Sequence, residues 1–331
     1  MKGELLMAER SKRIVLKIDE NKLNKETMKL LKKYKIDLAI KELSEKTIYN
    51  YEKDLLSWFS YIYIYQDNKP VSEVDEDDLT EFFYFCKAEG NNSRRIKRRM
   101  SSISAFYLYL RKKKLIKENP MEFIDRPRKD TDVVKQTFLT QKQIDLMFGL
   151  LSKGDDLQLH TYCAIALSTM ARVNALSNIM WKQIDFDNLT INDVLEKEGY
   201  IVTLDFDEYC KDLLLKLQKE REDKGIDCEY VFITYYNGKY SNASSSTLLD
   251  WCKKVGKMID VPTLHNHDFR HSGSSLMKAN GASLEDVSKM LNHASTDVTL
   301  KHYIKADTTK LKESKAKYGA FRNLNKTIEQ E

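Results

Sequence analysis

Apolar residues recur every three or four positions along most of this chain, the spacing that lays a hydrophobic stripe on one face of an α-helix. From Ser44, a residue suited to cap a helix N-terminus, with Thr47 in the first turn, the positions Ile48, Tyr51, Leu55, Trp58, Phe59 and Ile62 keep that rhythm and predict one amphipathic helix. A second is expected where the acidic run 73–78 precedes Leu79, Phe82, Phe83 and Phe85, because carboxylates in a first turn suit the positive end of the helix dipole. Gly90, Asn91 and Asn92 then break the chain. A third helix opens with the cations Arg94, Arg95, Lys97, Arg98 and Arg99, continues through Met100, Ile103, Phe106, Tyr107 and Leu110, and closes on Arg111, Lys112, Lys113 and Lys114.

Asn119-Pro120 ends the next short element, and the stretch from Arg126-Pro127 to Asp130 has the prolines, charge and lost periodicity of a linker. Beyond it Thr140 starts a helix through Leu146, Leu150 and Leu151, and a longer, buried helix is expected over about 157–170. Alternation typical of strands marks 184–204 as the single β region expected, with short strands on either side of Glu196-Lys197-Glu198-Gly199, and helices resume near Glu208. Further on, Gly281 closes one helix and Ser283 caps another carrying Leu284, Val287 and Leu291. Residues 1–40 read as an additional helical arm. A tail helix is expected over 306–331, with Leu311, Tyr318, Phe321 and Leu324 among many charges. The organisation predicted is an arm (1–40), a helical domain (41–126), a linker (127–136), a second, larger domain (137–305) and a tail (306–331).

Composition agrees with a mostly α, two-domain chain. Its 331 residues are 42% hydrophobic and 32% charged, enough for a core in each domain, while 11 Gly and 4 Pro are few for a sandwich, a barrel or a Gly-rich doubly wound fold. The longest uncharged stretch, 157–171, is shorter than a membrane span and contains polar residues, and the first thirty residues offer no apolar signal core, so no membrane association is expected. Five widely spaced cysteines (Cys86, Cys163, Cys210, Cys228 and Cys252) form neither a disulfide framework nor a zinc ribbon, which fits a reducing cytoplasm. The formal net charge of +5 hides a local extreme: residues 91–117 contain ten Lys and Arg and no Asp or Glu. Such a basic helix suits a phosphate backbone.

Five of the six histidines fall between 265 and 302. A metal site made of His265, His267 and His271 lacks a cysteine and a familiar ligand spacing, so no metal is expected. Histidines clustered near arginines suit a phosphate better, since guanidinium groups bind its oxygens bidentately and imidazoles add donors.

The ordered set Arg172, Lys197, His267-x-x-Arg270, His293 and Tyr303 resembles the tyrosine recombinases, the phage-integrase family. The surrounding segments Ala171-Arg172-Val173-Asn174-Ala175-Leu176, Trp181-Lys182-Gln183-Ile184-Asp185, His267-Asp268-Phe269-Arg270-His271-Ser272 and Leu291-Asn292-His293-Ala294-Ser295 are similar too, and the likeness extends over about 41–305. The resemblance implies a helical core-binding domain and a helical catalytic-type domain with a small β-hairpin, closing as a clamp on double-stranded DNA. It implies that Arg172 and Arg270 hold the non-bridging oxygens of one phosphate, that His267 and His293 add hydrogen bonds, that Lys197 protonates the leaving 5′ oxygen, and that Tyr303 attacks phosphorus. No cofactor is implied. The tail often docks on a neighbouring protomer in such proteins, so a homodimer or higher oligomer on DNA is expected, in a bacterial cytoplasm at the nucleoid.

Some positions depart from the family pattern. Ala175 stands where a glutamate is usual, Met170-Ala171 replaces a glycine-bearing pair, and Lys197 lies between Glu196 and Glu198, carboxylates that would raise its pKa and repel a phosphate. These departures leave two readings open: a prophage repressor that kept the DNA clamp and lost the reaction, similar to the recombinase-fold lysogeny repressors of SPβ-type Bacillus prophages, or an active integrase or Xer-like recombinase.

Overall fold

A computed structural model describes residues 16, 18–128, 138–196 and 199–292. The chain divides into two units, 1–134 and 135–331. Among the described residues of the first, four α-helices form where the apolar stripes fall: α1 (Lys25–Ile40), α2 (Glu45–Tyr65), α3 (Glu76–Ala88) and α4 (Ser93–Lys112). Each is started by a side chain that accepts from its otherwise unpaired first-turn amides: Asn24, Ser44, Asp75 within a capping box, and Asn92. Residues 25–40, expected to be an arm, pack Leu30, Leu31, Tyr34 and Leu38 into the same core as α2 and α4. Aromatic residues dominate that core. Trp58 is 0% exposed, and Tyr34 meets Phe106 edge to face at 5.2 Å.

The second unit contains α5 (Gln141–Leu151), α6 (Leu157–Thr169), α7 (Val173–Ser177), strands β1 (Ile184–Asp185), β2 (Thr190–Leu195) and β3 (Ile201–Asp205), α8 (Glu208–Asp223), strands β4 (Ile233–Tyr236) and β5 (Lys239–Asn242), then α9 (Ser245–Met258), α10 (Asn266–Ala279) and α11 (Leu284–Met290). Helix α6 is buried on most of its surface because it packs between α8 and α10, with Leu159, Tyr162, Cys163, Ile165 and Ala166 all enclosed. Strands β1, β2 and β3 form an antiparallel meander in which Ile191 faces Leu204 and Val194 faces Val202, with a bulge between Ile191 and Val194.

Strands β4 and β5 correct the expectation of a single β region. They pair Tyr235 with Tyr240 across Asn237-Gly238, whose φ angles of 48° and 78° suit a two-residue hairpin turn of type I′. The hairpin is tied to α6 by Gln158, whose side chain accepts from Ile233 N–H at 2.8 Å and donates to Ile233 C=O at 3.2 Å. No described helix is long and apolar enough to cross a membrane. The tail expected over 306–331 lies outside the described residues.

Candidate active site

Helix α6 ends in a left-handed turn: Met170 has φ 52°, a conformation that costs a residue with a Cβ and redirects the chain. Two residues later Arg172 stands at the N-terminal boundary of α7, with no capping hydrogen bond from its side chain. That short helix is held by polar contacts, with Ser177 Oγ donating to Ala243 C=O at 2.6 Å and Ser245 Oγ donating to Asn174 Oδ1 at 2.9 Å. Arg172 therefore projects from a fixed backbone. Its guanidinium donates to the Glu196 carboxylate in a close ion pair, with the arginine side chain 32% exposed and the glutamate 4%. Glu196 Oε1 is buried and has no hydrogen-bond partner among the described residues.

Helix α10 carries His267 and Arg270. Its start is fixed by Asp268, fully buried, which accepts from His265 N–H at 2.9 Å and lies 2.9 Å from His265 Nδ1. Asn266 is clamped from behind by the hydroxyl of Tyr162 and by Cys252 Sγ at 2.9 Å, and burial pushes the Cys252 thiol up to about 12. Arg270 is 2% exposed and spans two backbone turns, donating to Met170 C=O at 2.7 Å and to Leu291 C=O. It thus links the turn leading into Arg172 to the end of α11, after which the chain runs to His293. Close approach of α6 and α10 depends on Gly273, where a Cβ would lie 2.6 Å from Leu167 C=O.

His267 keeps an exposed face. Partial burial of its ring, and then the Arg270 guanidinium, lower its pKa, which favours a neutral imidazole able to give or accept a hydrogen bond. The His271 ring meets it edge on at 5.4 Å. Among the described residues no three His, Cys, Asp or Glu side chains converge as a metal site. Arg172, His267 and Arg270 are thus brought into one neighbourhood, whereas Lys197, His293 and Tyr303 lie outside the described residues. Asn266, Tyr162 and Cys252, which fix the start of α10, are far apart in sequence and carry no local signal of that role. Glu196, adjacent to Lys197 in sequence, engages Arg172 in the structure.

The basic helix α4 divides between scaffold and surface. Arg99 is 1% exposed, donating to Asn91 Oδ1 at 3.1 Å and Ser57 Oγ at 3.0 Å over the Phe82 ring, so its expected role on a phosphate is corrected to a core role. Arg95 and Arg98 flank the fully buried Asp54 at 2.7 and 3.4 Å while keeping part of each side chain in solvent. Lys97 donates to Arg128 C=O at 3.2 Å, Arg111 pairs with Glu122 at 3.0 Å, and Lys113 lies 3.9 Å from Asp37. Arg94, Lys112 and Lys114 are exposed and make no ion pair among the described residues.

Two mostly helical units, the second interrupted by small antiparallel sheets and gathering two arginines and a histidine, define a tyrosine-recombinase fold. Residues 137–310 match the phage integrase family and 31–114 match the phage integrase N-terminal SAM-like domain, and the chain belongs to the phage integrase family. It is 25% identical over 300 residues to a tyrosine recombinase XerC of Pediococcus pentosaceus, covering 88% of this chain and 98% of the relative. It is 24% identical over 279 residues to a tyrosine recombinase of Thermosipho africanus, covering 82% and 93%. The Tn1549 transposon integrase in complex with circular intermediate DNA has a similar fold, with a TM-score of 0.66, 17% identity and coverage of 86% and 98%. The Pediococcus and Thermosipho relatives are tyrosine recombinases, the activity held open above beside repression.

Proposed function

We propose that this protein binds double-stranded DNA with the surface of α4 and the Arg172–Arg270 neighbourhood, and that it regulates transcription from its sites, as a prophage repressor would. The observation that carries the regulatory reading is the state of the two arginines. Arg172 is neutralised by a buried carboxylate, and Arg270 is spent on two backbone carbonyls. A phosphate-activating site needs both guanidiniums directed at the substrate, because stabilisation of developing charge depends on donors that are already oriented.

A second reading, site-specific recombination, is favoured by the retention of Arg172, Lys197, His267, Arg270, His293 and Tyr303 in one chain and by the recombinases it is similar to. In that reaction the Tyr303 oxygen would bond to phosphorus as the bond to the 5′ oxygen breaks. Lys197 would supply the proton to that oxygen, leaving a 3′-phosphotyrosine. One experiment separates the readings. Protein is incubated with duplex fragments of its source genome selected by binding, then denatured and separated by mass. Binding without a covalent adduct supports regulation, and an adduct that disappears in Tyr303→Phe supports recombination. A folded protein that retains no fragment refutes both.

A further inference from the structure

The contact between Arg172 and Glu196 joins two elements that are otherwise separately anchored. Arg172 is set by α7 and its ties to Ala243 and Ser245. Glu196 sits at the far end of the β2–β3 hairpin, past the bulge, where its N–H donates to Tyr200 C=O at 2.8 Å. That end is lightly packed: Leu195, Tyr200 and Ile201 are 64%, 67% and 67% exposed. A buried carboxylate is costly unless both oxygens are satisfied, yet among the described residues only one oxygen of Glu196 is engaged, by Arg172. The pair therefore combines a cation at a fixed helix start, 32% exposed, with a buried anion whose hairpin neighbours Leu195, Tyr200 and Ile201 face solvent.

We propose that Glu196 occupies Arg172 as an internal substitute for a DNA phosphate, and that duplex binding exchanges one anion for the other, with the hairpin end moving to release the carboxylate. Glu196 engages the Arg172 guanidinium through one oxygen, whereas a phosphate diester offers two in the fork geometry a guanidinium prefers, so bidentate capture of a phosphate competes with the carboxylate for the same N–H groups. Glu196 thereby lowers duplex affinity by the cost of breaking its own pair. This inference rests on the duplex binding proposed above; with Glu196 displaced, the regulatory reading is carried by Arg270, whose guanidinium is held by the Met170 and Leu291 carbonyls.

The test is a double-mutant cycle on the full chain, with a fluorescein-labelled mixed-sequence duplex as the probe and titrations at low and moderate salt. Glu196→Gln should tighten binding about tenfold, the equivalent of about 1.4 kcal/mol. Glu196→Asp, one methylene shorter, should tighten it less. In an Arg172→Ala background the gain from Glu196→Gln should fall to the small change expected from removing one charge anywhere on the protein. An equal gain in both backgrounds overturns the proposal, because the effect is then general electrostatics. Unchanged or weaker binding by Glu196→Gln with an unaltered melting temperature overturns it too, and a loss of melting temperature in Glu196→Gln and Glu196→Asp alike, without tighter binding, assigns the pair to structure. A wild-type chain that is folded but does not bind the duplex removes the functional reading itself, which separates that failure from a failure of the exchange.

Discussion

Replacing Gly273 with alanine tests whether the α6–α10 contact holds the site together. A Cβ there would lie 2.6 Å from Leu167 C=O and 2.8 Å from Met170 Cγ, and because the nearer atom is backbone it cannot rotate away. Reaching ordinary contact at 3.4 Å requires α10 to retreat by about 0.8 Å. That retreat also stretches the bond from Arg270 to Met170 C=O, now 2.7 Å. Overpacking of this kind costs about 3 kcal/mol at the upper end of its usual range. Alanine returns about 1 kcal/mol as the better helix former, so the net loss is about 2 kcal/mol, a fall in melting temperature of about 4–8 °C for a unit of this size. Gly149 in α5 provides the contrast in the same unit: a Cβ there meets nothing within 4 Å, and Gly149→Ala should stabilise by about 0.5–1 kcal/mol. Differential scanning calorimetry of the full chain reads both. A Gly273→Ala protein that melts at or above the wild type, or one displaced no further than Gly149→Ala in the opposite direction, would refute the packing argument.

Asp54→Ala should cost about 2 kcal/mol in urea unfolding of the first unit, less than a fully enclosed pair because Arg95 and Arg98 can turn to water while Ser102 loses its partner at 3.1 Å; a loss under about 0.5 kcal/mol would contradict it. His160 is buried, 2.7 Å from the Tyr209 hydroxyl, and burial lowers its pKa, with Lys216 adding to the shift. The folded protein therefore favours the neutral ring. Its contribution is complete above the unfolded value of about 6.5 and is lost as pH falls through that value toward the lower folded one. His160→Gln should flatten the acid side of the stability profile of the second unit, and an unchanged slope would show that His160 does not titrate on unfolding.

Helices were legible from the chain because their signals are local. Ser44, Thr140 and Ser283 cap where the spacing of apolar residues predicts, and α6 runs over Leu157–Thr169 against an expected 157–170. The β4–β5 hairpin escaped although Asn237-Gly238 is a strong turn signal, because its strands alternate weakly and expose Tyr235 and Tyr236 at 63% and 75%. A cationic run predicts surface, yet Arg99 is enclosed: its partners Asn91 and Ser57 lie 8 and 42 residues away, so only the folded chain reveals the enclosure. Glu196 shows the same limit. Adjacency in sequence tied it to Lys197, whereas the antiparallel hairpin delivers its carboxylate to an arginine 24 residues earlier.

The enclosure of Trp58 has an optical consequence. The chain has 3 tryptophans, and Trp58 alone belongs to the first unit, sealed at 0% exposure, while Trp181 and Trp251 sit partly buried against the core of the second. Each unit thus carries its own intrinsic fluorophore. Under excitation selective for tryptophan over the 18 tyrosines, a Trp58→Phe protein emits only from the second unit, and a Trp181→Phe, Trp251→Phe protein only from the first, so a shift in emission upon adding DNA can be assigned to one unit without attaching a dye.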